Sequence, residues 1–318
     1  MGIDDLAKRL ADRSRIGLTP ELAEKLGVPT EDVARGRLLA QTEGTKGPLG
    51  VYLLSVYVVD DTDFWSDGEI YWWSIPVMVH QDGTVSWSAM TGLPAGAEPH
   101  DVGSHEWMTN FALQDPPLLA VIPPDDDIRS CVMRLAFYDD DGALANVPKA
   151  MTEGYSALAA CKREGLPGPE QVITPARDAI YKSLRAEQDD ILIDEDVTLR
   201  RGESTRFNAG FVSSVINSMI RVYYVVRDEM TTVQAGPYFL RKGQMDTVTF
   251  DVPLQRAGRL SIFVRGAEVH TDVFGDLTTD VPYANQVLDE RMAQTLSRGF
   301  TITAKGPARI IVFYTPPA

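Results

Sequence analysis

The sequence contains few cysteines, no long apolar run and no secretion signal. Two cysteines, Cys131 and Cys161, occur in 318 residues, which is too few for a disulfide framework and predicts two buried thiols in a reducing compartment. The longest apolar runs, such as PPLLAVIPP, are too short to span a bilayer, and the N-terminus lacks a basic and then apolar pattern. The sequence therefore predicts a protein that is cytoplasmic at synthesis.

Motifs that mark catalytic sites are also absent. The sequence has no G-x-S-x-G elbow, no G-x-x-x-x-G-K-[ST] loop and no G-x-G-x-x-G after a strand. His100 and His105 lie in PHDVGSHEW, and their spacing in a loop rich in glycine and proline does not match a helical zinc pair. No catalytic or cofactor-binding residue is predicted, which favours a non-enzymatic role.

Positive charge is scarce. The chain has 30 basic and 45 acidic residues, a formal net charge of −15. Phosphate binding needs a basic face, so this balance argues against a nucleic-acid role for the whole chain. It favours solubility and a cation or a basic partner.

Residues 1–46 have the pattern of helices. Apolar residues recur at helical spacing in IDDLAKRLADRS, and Thr19-Pro20-Glu21 supplies an N-cap followed by a first-turn proline. Residues 21–39 resemble a helix-turn-helix, which implies a DNA-binding regulator. The positions that would face a major groove include Glu31 and Asp32, which meet phosphates unfavourably. A helical docking or assembly segment is therefore predicted, and a helix-turn-helix regulator is the third hypothesis for function.

The remainder has the composition of β-structure. Runs rich in β-branched and aromatic residues, bounded by Asp, Gly and Pro, recur from residue 51 onward. Two helical segments interrupt them between residues 148 and 188. We predict a mainly β protein: a helical N-terminal segment (1–46), an antiparallel β-sandwich with inserted helices (47–230) and a smaller C-terminal β domain (231–318).

Acidic stretches follow several of the predicted strands. DDTDFWSDGEIYWW begins at residue 60, PPDDDIRS at 123 and FYDDDGALAN at 137. If the strands before the first and third stretch run parallel, these two acidic turns lie at one end of the sandwich. Calcium takes six to eight oxygen ligands and accepts flexible loops as donors. The predicted ligands are six aspartates: Asp60, Asp61, Asp63, Asp67, Asp139 and Asp141.

The order of these segments resembles the synaptotagmin-type calcium- and phospholipid-binding sandwich. The resemblance covers residues 50–228 and rests on DDTDxxSD after one strand and YDDDG after a later one, with Asp189 and Asp190 in QDDILIDED as an addition. It implies calcium bound by aspartates at one end of the sandwich and a membrane headgroup as partner. The two inserted helices depart from the compact form of that family.

A second interpretation of the same aspartates needs no metal, because Asp and Gly are favourable turn residues that cap their own backbone. Trp65, Trp72 and Trp73 are expected in a core or an interface. The leading hypothesis is a non-enzymatic binding or assembly protein, calcium-dependent through the acidic turns, whose partner is a protein, a glycan or a membrane headgroup. The alternative is a hydrolase with an acidic divalent-cation site. The oligomeric state is left open.

Overall fold

The structure is a computed structural model. It describes residues 48–60, 68–88, 90–92, 100–108, 116–125, 127–139, 146–164, 168–184, 190–200, 209–251, 254 and 256–316. The predicted N-terminal helices and the helix-turn-helix lie outside the described residues.

Two sheets face each other in the first half of the chain. Sheet 1 has the order β6-β1-β10-β9 and sheet 2 the order β3-β2-β7-β8, with β4 and β5 also paired to β2. All of their pairings are antiparallel. The strands are β1 (Leu49–Val58), β2 (Gly68–His80), β3 (Val85–Trp87), β4 (Thr91–Gly92), β5 (His100–Val102), β6 (Leu118–Ile122), β7 (Ile128–Asp139), β8 (Asp190–Arg200), β9 (Val212–Ile216) and β10 (Ile220–Asp228).

Two helices cover the outer face of sheet 2. They are α1 (Val147–Glu164) and α2 (Pro169–Leu184), in the predicted interruption of the β pattern. Strand β7 shows why both faces are apolar: Met133 and Phe137 pack between the two sheets, whereas Ala136 and Tyr138 pack against the helices. Every position of β7 from Leu135 to Tyr138 is therefore buried and aliphatic or aromatic.

A second pair of sheets follows. Sheet 3 has the order β11-β18-β13-β16 and sheet 4 the order β12-β17-β14-β15, with a shared apolar core between them. The elements are β11 (Val233–Leu240), β12 (Met245–Val248), β13 (Gly258–Gly266), β14 (Val269–Thr271), β15 (Gly275–Leu277), β16 (Tyr283–Leu288), α3 (Glu290–Leu296), β17 (Phe300–Ala304) and β18 (Ala308–Thr315). The mainly β fold predicted from sequence is confirmed.

The two sandwiches pack against each other through an interface core between sheets 1 and 3. This core includes Tyr52, Tyr223, Phe263 and Phe313. The ring centroid of Phe263 lies 5.4 Å from that of Tyr223 and 6.2 Å from that of Trp107. The described layers are therefore helices, sheet 2, sheet 1, sheet 3 and sheet 4. The division of the chain into separate domains stays a prediction, since the interface is apolar and continuous.

Polar contacts reinforce the same interface. The side-chain amide of Asn285 on β16 forms two hydrogen bonds with the backbone of Val212. It accepts from the Val212 N–H at 2.9 Å and donates to the Val212 carbonyl oxygen at 2.8 Å. The guanidinium of Arg259 donates to the carbonyl oxygen of Ala209 at 2.8 Å, and the hydroxyls of Thr232 and Thr315 lie 2.7 Å apart. These bonds satisfy polar groups that the apolar interface would otherwise leave without partners.

Candidate functional site

The strand registers place two of the acidic connections at one end of the first sandwich. Asp139, the last residue of β7, lies opposite Ile70 near the start of β2 and opposite Asp190 at the start of β8. The connection that contains residues 61–67 leads from β1 into β2, and the connection that contains residues 140–145 leaves β7. Both therefore emerge at this end, which we call the acidic end.

The third acidic stretch, PPDDDIRS, lies at the opposite end. Ile122, the last residue of β6, pairs with Leu49 at the start of β1, and Ile128 at the start of β7 pairs with His80 at the end of β2. The turn between β6 and β7 is closed by Asp125, whose carboxylate accepts a hydrogen bond from the backbone N–H of Asp127 at 2.8 Å. Asp125 therefore caps this turn, as the interpretation of the aspartates as turn residues predicts.

Asp139 is the most buried of the predicted ligands that the structure describes. Its residue is 3% exposed, and the alternation of β7 places it on the same face as Phe137, toward the core between sheets 1 and 2. A carboxylate this buried is stable as an anion only with hydrogen bonds or a nearby cation. Its oxygens are the ligand type that calcium prefers.

Asp60 is the other predicted ligand that the structure describes. It is exposed, it follows the end of β1, and its backbone N–H donates to the carbonyl oxygen of Met219 at 3.1 Å. Asp61, Asp63, Asp67 and Asp141 lie outside the described residues, so the six-aspartate site stays a prediction. Within the described part of the chain, no group of three or more His, Cys, Asp or Glu side chains has a metal-binding arrangement.

Other acids of the QDDILIDED stretch serve a structural network beneath helix α2. Arg134 donates from Nε to Asp194 at 2.5 Å and from Nη1 to Asp196 at 3.2 Å. The hydroxyl of Tyr181 donates to Asp194 at 3.1 Å. Although burial lowers the pKa of Arg134, the hydrogen bonds and charges of the two aspartates raise it overall. Sequence reasoning missed this network, although the alternation of acids in DILIDED could have indicated one acidic face of the strand.

The tryptophans and cysteines that the structure describes are core residues. Trp72 packs between sheets 1 and 2, and Trp73 packs beneath the helices; Trp65 lies outside the described residues. Both cysteines are buried, and neither forms a disulfide. Burial raises the pKa of the Cys131 thiol to about 12, which leaves it protonated and unreactive at neutral pH.

Comparison with known proteins leaves the family open. No family model and no curated protein matches the sequence. Among solved structures, human GIVD cytosolic phospholipase A2 in complex with methyl gamma-linolenyl fluorophosphonate matches with a TM-score of 0.24 and 11% identity over 86% of this chain and 32% of that chain. The same enzyme with terbium chloride added gives a TM-score of 0.25 and 8% identity. The chain thus spans about a third of the length of these enzymes, and a likeness at these values carries no argument.

Among the residues that the structure describes, no helix is both long and apolar enough to cross a bilayer.

Proposed function

We propose that this chain is a binding or assembly protein whose acidic end binds calcium and, through it, a partner. The observation that carries the proposal is the register of β7, which places the nearly buried Asp139 beside the starts of β2 and β8. Two acidic connections therefore leave the sandwich beside a carboxylate that is already withdrawn from water. Clustered carboxylates repel one another, and a bound cation offsets that repulsion.

The proposed partner is an anionic surface such as a membrane headgroup. With a net charge of −15, the chain repels anions over distances of about a Debye length. Calcium held by a few aspartates keeps coordination positions for oxygens of another molecule, because it accepts six to eight ligands. The cation would thus both neutralise the acidic end and bridge to phosphate. Protein and glycan partners are the alternatives that the experiments below separate.

Calcium binding is tested by differential scanning calorimetry after chelation, with calcium returned at millimolar concentration. A ligand that binds only the folded state stabilises by about 2.7 kcal/mol at a hundred times its dissociation constant. For a protein of this size, the melting temperature would rise by on the order of 5–10 °C. Magnesium should produce a smaller shift, because it gives up its water shell reluctantly and requires tighter octahedral geometry.

Two double variants localise the effect. Asp139→Asn with Asp141→Asn should abolish the calcium-induced shift. Asp125→Asn with Asp127→Asn removes the same charge at the opposite end of the sandwich and should retain the shift. No shift in the unmodified protein, or an equal shift in both variants, would mean that the aspartates of the acidic end are turn residues.

Vesicle sedimentation then separates the partners. Binding to phosphatidylserine vesicles in calcium, and not to phosphatidylcholine vesicles or in chelator, supports an anionic headgroup. A calcium shift without vesicle binding would redirect the search to protein or glycan partners.

A further inference from the structure

A serine, a histidine and an aspartate meet at the end of the sandwich opposite the acidic end. The Nε2 atom of His80 lies 2.8 Å from the hydroxyl oxygen of Ser86. The Nδ1 atom of the same ring lies 3.2 Å from a carboxylate oxygen of Asp127. The imidazole therefore contacts a hydroxyl through one nitrogen and a carboxylate through the other.

Main-chain hydrogen bonds hold the three segments that carry these residues. The backbone N–H of His80 donates to the carbonyl oxygen of Thr84 at 2.9 Å, which closes the hairpin between β2 and β3. The backbone N–H of Gln81 donates to the carbonyl oxygen of Asp127 at 2.9 Å. Asp127 is thus fixed to the residue that follows His80, and Ser86 is fixed by its pairing with Met78 on β2. The arrangement does not depend on long flexible side chains.

The environment of the ring differs from that of its two partners. The side chain of His80 is 15% exposed, whereas that of Asp127 is 54% exposed. Ser86 is half-buried on β3, which is the terminal strand of sheet 2 in the described part of the chain. The base is shielded, while the hydroxyl belongs to a half-buried residue.

We propose that Ser86, His80 and Asp127 form a nucleophile, general base and orienting carboxylate for the hydrolysis of carboxylic esters. Asp127 favours the tautomer with the proton on Nδ1, so Nε2 accepts from the Ser86 hydroxyl. The arrangement satisfies the geometric requirement for an activated serine, namely a nucleophile within hydrogen-bond reach of a base that a third group orients.

In the first half-reaction, the Ser86 oxygen bonds to the ester carbonyl carbon and its proton passes to Nε2 of His80. The bond to the leaving alkoxide then breaks, and the alkoxide takes that proton and departs as an alcohol. In the second half-reaction, water attacks the acyl-serine and gives a proton to Nε2. The bond between acyl carbon and serine oxygen breaks, the proton returns to Ser86, and a carboxylic acid is released.

Nearby charges narrow the substrate to a neutral ester. Asp82 belongs to the same hairpin turn; hydrogen bonds from Thr84 are the largest cause of its lowered pKa, and His80 contributes. Asp127 contacts the ring, and Asp82 lies close enough for His80 to act on its pKa, so the negative charge beside the ring disfavours an anionic acyl group.

Labelling with diisopropyl fluorophosphate tests the proposal on the full-length protein. The Ser86 oxygen would displace fluoride from phosphorus, and its proton would leave by way of His80. We expect one adduct per chain by intact mass, mapped by peptide sequencing to Ser86. Ser86→Ala should abolish the adduct. His80→Gln and Asp127→Asn should slow labelling, and with it release of p-nitrophenol from p-nitrophenyl acetate, by roughly 10²–10⁴-fold for the histidine.

Ser88→Ala is the matched control, because it removes the next serine on the same face of the same segment and should label at the rate of the unmodified protein. Melting curves establish that each variant is folded, and the peptide map of the unmodified protein decides the site even if Ser86→Ala is unstable. The absence of an adduct at millimolar probe, an adduct on another residue, or equal labelling after His80→Gln would overturn the proposal and leave a hydrogen-bonded hairpin.

Discussion

Replacing Phe263 with Ala tests whether the two sandwiches fold as one unit. Phe263 is 2% exposed and lies on β13 in the interface core, between the rings of Tyr223 and Trp107. Truncating a buried Phe to Ala costs about 3–5 kcal/mol through lost transfer free energy and the cavity that remains. The two ring contacts are part of this total, at about 0.5–1.5 kcal/mol each. The melting temperature should fall by on the order of 6–15 °C.

The assay is calorimetry combined with urea unfolding followed by tryptophan fluorescence. Because the interface core belongs to both sandwiches, we expect one transition in the unmodified protein and a separation into two in Phe263→Ala. Phe239→Ala on β11 of the same sheet is the control: Phe239 is 55% exposed, and its truncation should change the free energy of unfolding by about 0.5 kcal/mol or less. A loss below about 1 kcal/mol for Phe263→Ala would show that the sandwiches do not stabilise each other.

Further predictions concern the backbone, a thiol and the N-terminal segment. Gly210 has φ +87°, and an added Cβ would overlap the Thr315 side chain, so Gly210→Ala should lower the free energy of unfolding by about 1–3 kcal/mol in urea titration. Since burial raises the pKa of Cys131 from 9.0 to about 12, its contribution to stability is fully present below pH 9 and should be lost as pH rises toward 12; replacing Cys131 with Ala should flatten that part of the stability–pH curve. A chain that begins at Gly47 should still unfold cooperatively, because we expect residues 1–46 to contribute little to the β core; aggregation of this shortened chain would contradict the predicted boundary.

Sequence patterns predicted the element types well where local chemistry determines them. The β-branched and aromatic run MIRVYYVVRD is typical of a central strand, and β10 lies between β1 and β9. The helices over 147–164 and 169–184 match the predicted interruption at 148–188, apart from one residue at its start. The stretch PYANQVLDERMAQTLSRG favours one helix or an irregular excursion, whereas the chain forms β16 and then α3. Asp289 separates the two by accepting a hydrogen bond from the backbone N–H of Met292, an N-cap signal that was present in the sequence.

The pairing of distant segments could not be predicted from local chemistry. The sequence indicated three acidic turns, yet strand order decided that the turn between β6 and β7 lies at the opposite end of the sandwich from Asp139. Likewise, Ser86 and Asp127 are 41 positions apart in sequence numbering, and only the pairing of β2 with both β3 and β7 brings them to His80. Long-range register depends on packing energies summed over whole sheets, which no short motif encodes.

Strand β18 illustrates how such a register is specified when hydrophobic alternation gives no information. Its side chains Ile310, Val312 and Tyr314 enter the C-terminal core, while Ile311 and Phe313 enter the interface core. A slip by one residue would exchange one apolar set for another, so exclusion from water cannot select the correct alignment by itself. The polar residue Thr315 can select the correct alignment, because its hydroxyl reaches the hydroxyl of Thr232 only in the native alignment. The uniqueness of the fold at this strand is thus a property of its polar ends, because Arg309 near its start is also nearly buried, and evolution could vary the apolar middle far more freely than either end.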